Sequence, residues 1–425
     1  MNCPLIRQFL RGRHIGLLVA LVMTSASVTS AQVTVPGADG SDGVFAPTGN
    51  TVIDLSQAAN ASWNTGSPVP GKGVYDGAKW AVVFKYSSVN IPAGVTVTFL
   101  NHPSVAPVVW LVSGNVTIGG TLMLDGGAFV TPLASPLPGP GGYSGGLGEL
   151  NNSVLAQSGF GPGGAGYGGS PASGGGYSTQ GQSLNGQGGP VYGVNELVPL
   201  IGGSGGAGRV SFDRQLHAGG GGGGAILIAA SGTITCNGLI TAQGGAGALG
   251  GGGSGGAIRL VANVVTGSGA LNALGGIETI GNYPVEGGYG RVRLEANSLT
   301  GSISILPPNF TQGSPGATAT LWPSASTPTA TILSVGGLTP PVDPHASLSP
   351  GAFDLLLSTV GPITVVVQTA NVPTDATVSV HLTPQYGASV RTTASHTSGD
   401  ATLSTWTAQF TPSPGPFTLQ ADVGP

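Results

Sequence analysis

Charge is scarce in this chain. Asp, Glu, Lys and Arg together make up 7% of it, and Lys plus Arg number only 12. Without a basic cluster there is nothing to neutralise a run of phosphates, which excludes a nucleic-acid partner. Disorder is excluded as well, because it needs low hydrophobicity and high net charge, whereas 40% of these residues are hydrophobic. Cysteine is nearly missing. Cys3 lies in the first segment and leaves with it, so Cys236 is the only remaining thiol and no intramolecular disulfide can form. Cys236 has no His in its stretch to activate it and reads as a small buried apolar residue. Long apolar runs are also missing. Ile15–Met23 is too short to span a bilayer, so no membrane span is expected in the mature protein.

That short run has a different reading. Arg7, Arg11 and Arg13 precede it, and the small residues Ser30 and Ala31 follow. The three-part pattern predicts a secretion signal over 1–31, with cleavage near Ala31. The remainder would keep nine basic against sixteen acidic residues, a net charge of −7.

What the chain does have is glycine, 78 of 425 residues, together with a repeat. Ser113-Gly114-Asn115-Val116-Thr117-Ile118-Gly119-Gly120-Thr121-Leu122 returns 118 residues later as Ser231-Gly232-Thr233-Ile234-Thr235-Cys236-Asn237-Gly238-Leu239-Ile240. A weaker copy runs from Val264 to Gly276. Hexamers begin at Ala225, Ala257 and Arg291, and their even members are apolar: Ile226, Ile228, Ala230; Ile258, Leu260, Ala262; Val292, Leu294, Ala296. Val108, Trp110 and Val112 hold the same places before the first copy. Period-two alternation puts each set on one face. Units that cannot bury a face alone must stack, so the fold class expected is all-β, with a parallel β-helix (solenoid) over 32–306. Arg259 and Arg293 fall in the outward column and are expected in solvent. Gly120, Gly238 and Gly269 sit between strands and are expected to turn corners, by positive φ or tight bending.

Gly-rich runs interrupt the coils at 139–142, 159–169, 202–208, 219–224 and 250–256, with an insert at about 130–224. Two readings stay open: flexible loops, or extended polyproline-II segments packed side by side. Three runs end just before an inward strand, which favours order. A Pro-rich stretch over 307–328 reads as a linker. Over 329–425, six or seven strand-like runs separated by turns predict a small β-sandwich (immunoglobulin-like) with Trp406 in its core.

Chemistry-bearing groups are few. Asp213, Arg214 and His217 form the densest polar cluster and are candidates for proton abstraction; a solvated loop is the alternative. Glu286, Arg291 and Glu295 form a second small cluster. Asp125 has no carboxylate in register and reads as a turn residue. His102, His345, His381 and His396 are isolated, and no metal spacing is found, so no metal or cofactor is expected. Trp63, Trp80, Tyr143 and Tyr167 are candidate aromatic platforms for a glycan. Thr117, Thr235 and Thr266 align outward and keep an ice- or mineral-binding surface open.

The signal pattern, the Gly255–Ala262 run Gly-Gly-Ala-Ile-Arg-Leu-Val-Ala and the Ser-Gly-x-Val/Ile-Thr signature resemble uncharacterised secreted glycine-rich bacterial proteins. These are similar to the pectin-lyase-like right-handed parallel β-helix group, which includes adhesins. The resemblance covers roughly 33–305 and speaks to fold more than activity. Lyases of that group use clustered Asp with Lys or Arg in an outer groove. No such cluster is matched here, and no catalytic residue is carried over. The sequence therefore favours a secreted structural or adhesion-type surface or extracellular-matrix protein without catalytic activity. A polysaccharide-binding or polysaccharide-degrading β-helix protein is the alternative. Expected partners are extracellular glycans or other cell-surface proteins.

Overall fold

A computed structural model describes residues 32–128, 135–148, 156–166, 172–183, 188–210, 217–280, 283–342, 344, 354–358 and 361–424. The fold is all-β; a three-residue 3-10 turn, Leu55–Gln57, is the one helical element among the described residues. Two sheets built largely of parallel strands share the first core. The ten-stranded sheet runs, in spatial order, through Thr311–Gly313, Arg291–Leu299, Ala257–Thr266, Ala225–Cys236, Val108–Val112, Ala81–Ile91, Val74–Asp76 and Ala59–Asn60. Gly43–Phe45 and Val116–Ile118 pair on its flank. The six-stranded sheet runs Ser304–Leu306, Ala270–Asn272, Leu239–Thr241, Thr121–Met123, Thr96–Leu100, Thr51–Asp54.

The repeat sets the register. Val82, Val108, Ile226, Ile258 and Val292 align across five neighbouring strands, as do Phe84, Trp110, Ile228, Leu260 and Leu294. Val116, Ile234 and Val265 form another column, fully buried. From the second sheet, Val97, Leu122, Ile240 and Leu271 face the same core. Each such aliphatic side chain contributes about 1.5–3 kcal/mol on burial. Cys236 lies buried in this core, and burial pushes its thiol up to about 11. Strand Val108–Val112 pairs directly with Ala225–Cys236, so the long insert leaves the stack unbroken.

The recurring glycines do not turn corners by positive φ; none of Gly120, Gly238 and Gly269 has one. Their role is close approach. A Cβ on Gly238 would overlap the Gly120 carbonyl oxygen, and one on Gly269 the Gly238 oxygen, so the three form a column along which neighbouring segments touch backbone to backbone.

The Gly-rich runs 219–224 and 251–256 are ordered, and their hydrogen bonds have a period of three. Within 219–224 every amide donates: Gly219 and Gly222 to the carbonyls of Gly146 and Tyr143, Gly220 and Gly223 to Gly251 and Ser254, Gly221 and Gly224 to Gly127 and Leu124. Within 251–256 the pattern repeats: Gly251 and Ser254 donate to Ala207 and Ser204, Gly252 and Gly255 to Val285 and Gly288, Gly253 and Gly256 to Gly245 and Ala242. Residues three apart point at the same neighbour. This is the signature of a polyproline-II-type helix, which has three residues per turn and no internal hydrogen bonds. Each run therefore bonds in three directions at once. Glycine permits this spacing at most positions: a Cβ on Gly222 would overlap the Gly203 carbonyl oxygen, and one on Gly253 the Gly221 oxygen. Of the two readings of these runs, packed extended segments is the one that describes them.

The outer face of the ten-stranded sheet is buried too. Val83, Val109, Leu111, Leu227, Ala229 and Val261 form a second core beneath Val33, Val35, Ala319 and Leu321. The two covering segments join through Thr34 and Thr318. This corrects the solvated placement of Arg259. It is 2% exposed, donates to Glu295 Oε1 at 2.9 Å, and reaches the Thr320 carbonyl at 2.7 Å. Arg293 donates to the same Glu295 oxygen at 2.7 Å. The cover comes from residues expected to be a linker: Thr311–Gly313 adds a strand to the sheet, and Leu321 packs on it.

In the C-terminal region, a four-stranded antiparallel sheet (Thr329–Val335, Ile363–Ala370, Leu403–Phe410, Ser395–Gly399) and a three-stranded one (Val390–Thr393, Thr377–Pro384, Phe417–Gly424) enclose a third core. Trp406 is buried there, its indole N–H donating to Thr369 Oγ1 at 2.8 Å.

Candidate functional site

The polar cluster expected before the 219–224 run does not assemble into a describable site. Asp213 and Arg214 lie outside the described residues, as do Tyr167 and His345. His217 is 2% exposed, and its carbonyl accepts from the Arg209 amide at 2.8 Å. The second cluster divides. Glu295 serves Arg259 and Arg293, while Arg291 turns to the Tyr192 carbonyl and lies over the Tyr177 ring at 5.3 Å.

The aromatic candidates are packing residues, not open platforms. Trp63 meets Trp322 edge-on at 5.3 Å. Trp80 donates its indole N–H to the Ser104 carbonyl at 2.9 Å and faces Tyr143, ring centroids 6.4 Å apart. All three are half-buried, and burial pushes the Tyr143 phenol up to about 12. Tyr177 and Tyr192 stack at 4.5 Å against the Gly-rich array, with the Tyr177 hydroxyl donating to the Ile201 carbonyl at 2.8 Å.

Elsewhere, charged groups tie loops to the sheets. Asp42 accepts from Ser67 Oγ at 2.7 Å, Gly71 N at 2.8 Å and Lys85 N at 2.6 Å. Asp76 takes the Trp63 amide at 2.8 Å. Asp125 accepts from Thr241 Oγ1 at 2.6 Å and Gln243 N at 2.7 Å, tying the end of strand Thr121–Met123 to that of Leu239–Thr241. Burial raises its carboxyl above the usual 3.8, while these two bonds pull the other way.

The outward threonines do align. Thr117, Thr235 and Thr266 are register partners, and Thr300 Oγ1 lies 3.0 Å from Thr266 Oγ1. The column is one residue wide. Asn90 begins it, and the parallel column beside it changes from Thr233 to Val264 to Ser298.

The polar groups that do converge lie where sequence reading placed no site. Strand Thr377–Pro384 turns Val378, Val380 and Leu382 into the third core, leaving Ser379, His381 and Thr383 on the other face. Across the sheet His381 lies opposite both Arg391 and Gln420, and Ser379 opposite Asp422. This face meets the Gly-rich array: the Gly387 amide donates to the Ala156 carbonyl at 2.9 Å. Between them is a cleft of about 190 Å³, walled on the sheet side by His381, Ser389, Arg391, Gln420 and Asp422 and on the array side by Pro162, Gly164, Gly166, Gly188 and Pro190. Arg391 pairs with Asp422. Burial raises the Asp422 carboxyl above 3.8 against the pull of Arg391. Burial lowers His381 below 6.5, and Arg391 adds to that. The available signal was alternation: Thr418, Gln420 and Asp422 interleave with Leu419, Ala421 and Val423. The chain was compared with known proteins, and no protein-family model, curated protein or solved structure matches it.

Proposed function

We propose that this chain is a secreted structural or adhesion-type surface protein that works as a rigid scaffold without catalysis. The two parallel sheets are read as faces of a parallel β-helix, as in the pectin-lyase-like group, and the C-terminal pair of sheets as an immunoglobulin-like β-sandwich. In-register pairing supports the first part, because each coil from Ala225 onward gives one strand to each sheet. The observation that carries the functional reading is the three-way bonding of 219–224 and 251–256. A backbone whose every amide is committed to a neighbour offers no segment for a protease to draw out. Such a body suits an extracellular stalk or matrix component.

The test is fractionation of the source cells with an antibody to the mature chain, together with protease challenge and assay of released reducing ends on a polysaccharide panel. The expected result is protein in the medium or at the cell surface, a resistant fragment spanning 202–306, and no reducing-end release. Protein confined to the cytosol, or turnover of any polysaccharide abolished by a point variant, overturns the reading. A second reading, glycan recognition, is favoured by the polar cleft.

A further inference from the structure

We propose that the cleft between the three-stranded sheet and the Gly-rich array binds one neutral pyranose residue of a glycan. This deepens the adhesion reading by naming a ligand class, and it rests on the extracellular part of that reading.

The argument starts from size. A space of about 190 Å³ holds about six waters at ~30 Å³ each. That is room for a single sugar ring and too little for a folded partner or an aromatic cofactor. Charge comes next. Arg391 and Asp422 pair with each other, so the cleft carries no uncompensated charge from this couple. An anionic ligand meets the Asp422 carboxylate, and a cation meets the Arg391 guanidinium; a neutral ligand meets neither penalty.

Donor and acceptor pattern narrows the class further. Each sugar hydroxyl both donates and accepts. Its partner surface must therefore offer both roles side by side. A guanidinium has five N–H donors and a carboxylate about four lone-pair sites, so one ion pair leaves most of both unused. Gln420 supplies an amide donor and a carbonyl acceptor, and the Ser389 hydroxyl supplies both. The register puts Arg391 and Gln420 on the two outer strands of the three, with His381 directly between them, and Ser389 just precedes strand Val390–Thr393. The opposite wall has Pro162 and Pro190 among glycines. Pyrrolidine rings give apolar contact to the C–H faces of a ring, and glycines keep the wall low. Polar groups on one side and small apolar groups on the other fit a ring with an equatorial rim of hydroxyls.

The test uses the mature full chain. Methyl glycosides of glucose, galactose and mannose, with methyl glucuronide as the charged comparator, are titrated by saturation-transfer NMR on wild type, D422N, R391M, Q420A and S389A. Thr235→Val, far from the cleft, serves as control, and thermal midpoints report folding. The expected result is millimolar binding of at least one neutral glycoside. Each cleft variant that keeps its midpoint should weaken binding about tenfold or more, and T235V should leave it unchanged. Q420A and S389A carry the test if an ion-pair variant fails to fold. The proposal falls if no neutral glycoside binds at about 20 mM, if only the glucuronide binds, or if folded cleft variants bind as wild type does. A cytosolic location with binding intact would sink the scaffold reading and leave the cleft standing. A surface location without binding would do the reverse.

Discussion

At Gly253 the neighbouring Gly221 carbonyl leaves room for a hydrogen atom and nothing larger. A methyl there must push two bonded backbones apart and strain the amide–carbonyl contacts that 251–256 makes in three directions. Gly253→Ala is therefore expected to cost about 3 kcal/mol or more. Gly49→Ala, where the new methyl meets nothing within 4 Å, should change stability by about 0.5 kcal/mol or less. Denaturant unfolding of both variants checks the contrast; equal costs would mean that the array is not close-packed. Asp125 tests electrostatics at the same scale. Its carboxyl is raised mainly by burial, so ionising it costs more in the folded chain than in the unfolded one. The stability it contributes is present below 3.8 and is lost as pH rises through the higher folded value. Asn keeps an oxygen that can accept from Thr241 and Gln243 and removes the charge. Asp125→Asn should thus unfold at pH 7 no more easily than wild type. The two melting curves should converge at acid pH, and a variant weakened at pH 7 but not at acid pH would show that the charge itself stabilises the fold.

The element that distinguishes this molecule is the extended glycine run, and hydrogen exchange can read it directly. All six amides of 219–224 and of 251–256 donate to carbonyls of other segments. Both runs should be protected continuously, with no alternation, whereas an exposed edge strand such as Ser395–Gly399 exchanges early. Protection at alternate residues would indicate ordinary strands. This contrast also explains what the sequence could convey. The inward columns were legible because Ile226, Ile228, Leu260 and Leu294 mark a period of two with side chains. A period of three in glycine leaves no such mark, so sequence alone kept two readings open. Strands Val390–Thr393 and Ser395–Gly399 were missed because their residues are mostly polar. Arg259 was misplaced because its cover, Thr320 and Leu321, lies about 60 residues away along the chain. The cleft suffered similarly. Its polar strand faces could be read from alternation, but the wall opposite comes from glycines and prolines far upstream in the chain.

At the scale of the whole molecule, the ten-stranded sheet is buried on both faces around Val83, Val109, Leu227 and Val261, and the outer cover there comes from two segments distant in sequence. Parallel sheets are normally covered on both sides because their strands read as continuous apolar runs, and Val108–Val112 and Ala225–Ala230 are such runs, fully buried. The inner face is covered by the six-stranded sheet, whose Val97, Leu122, Ile240 and Leu271 share its core. The outer face depends on Val33 and Val35 together with Ala319 and Leu321, joined through Thr34 and Thr318. Closing the second core thus requires the chain to return over the sheet after strand Thr311–Gly313, which makes the Pro-rich stretch a structural part of the body. Two truncations separate this from any contribution of the C-terminal sheets, since both remove them. A chain of residues 32–316 keeps the strand Thr311–Gly313 but lacks Ala319, Leu321, Trp322 and the Thr320 carbonyl that holds buried Arg259. A chain of 32–326 retains them all. The longer one should melt cooperatively and bind no hydrophobic dye. The shorter one should lose about 3 kcal/mol or more from Leu321 burial and the stranded guanidinium, bind dye and aggregate. Matching melting curves for the two would mean that the outer face closes without its cover, and that the core between the two parallel sheets alone stabilises the body.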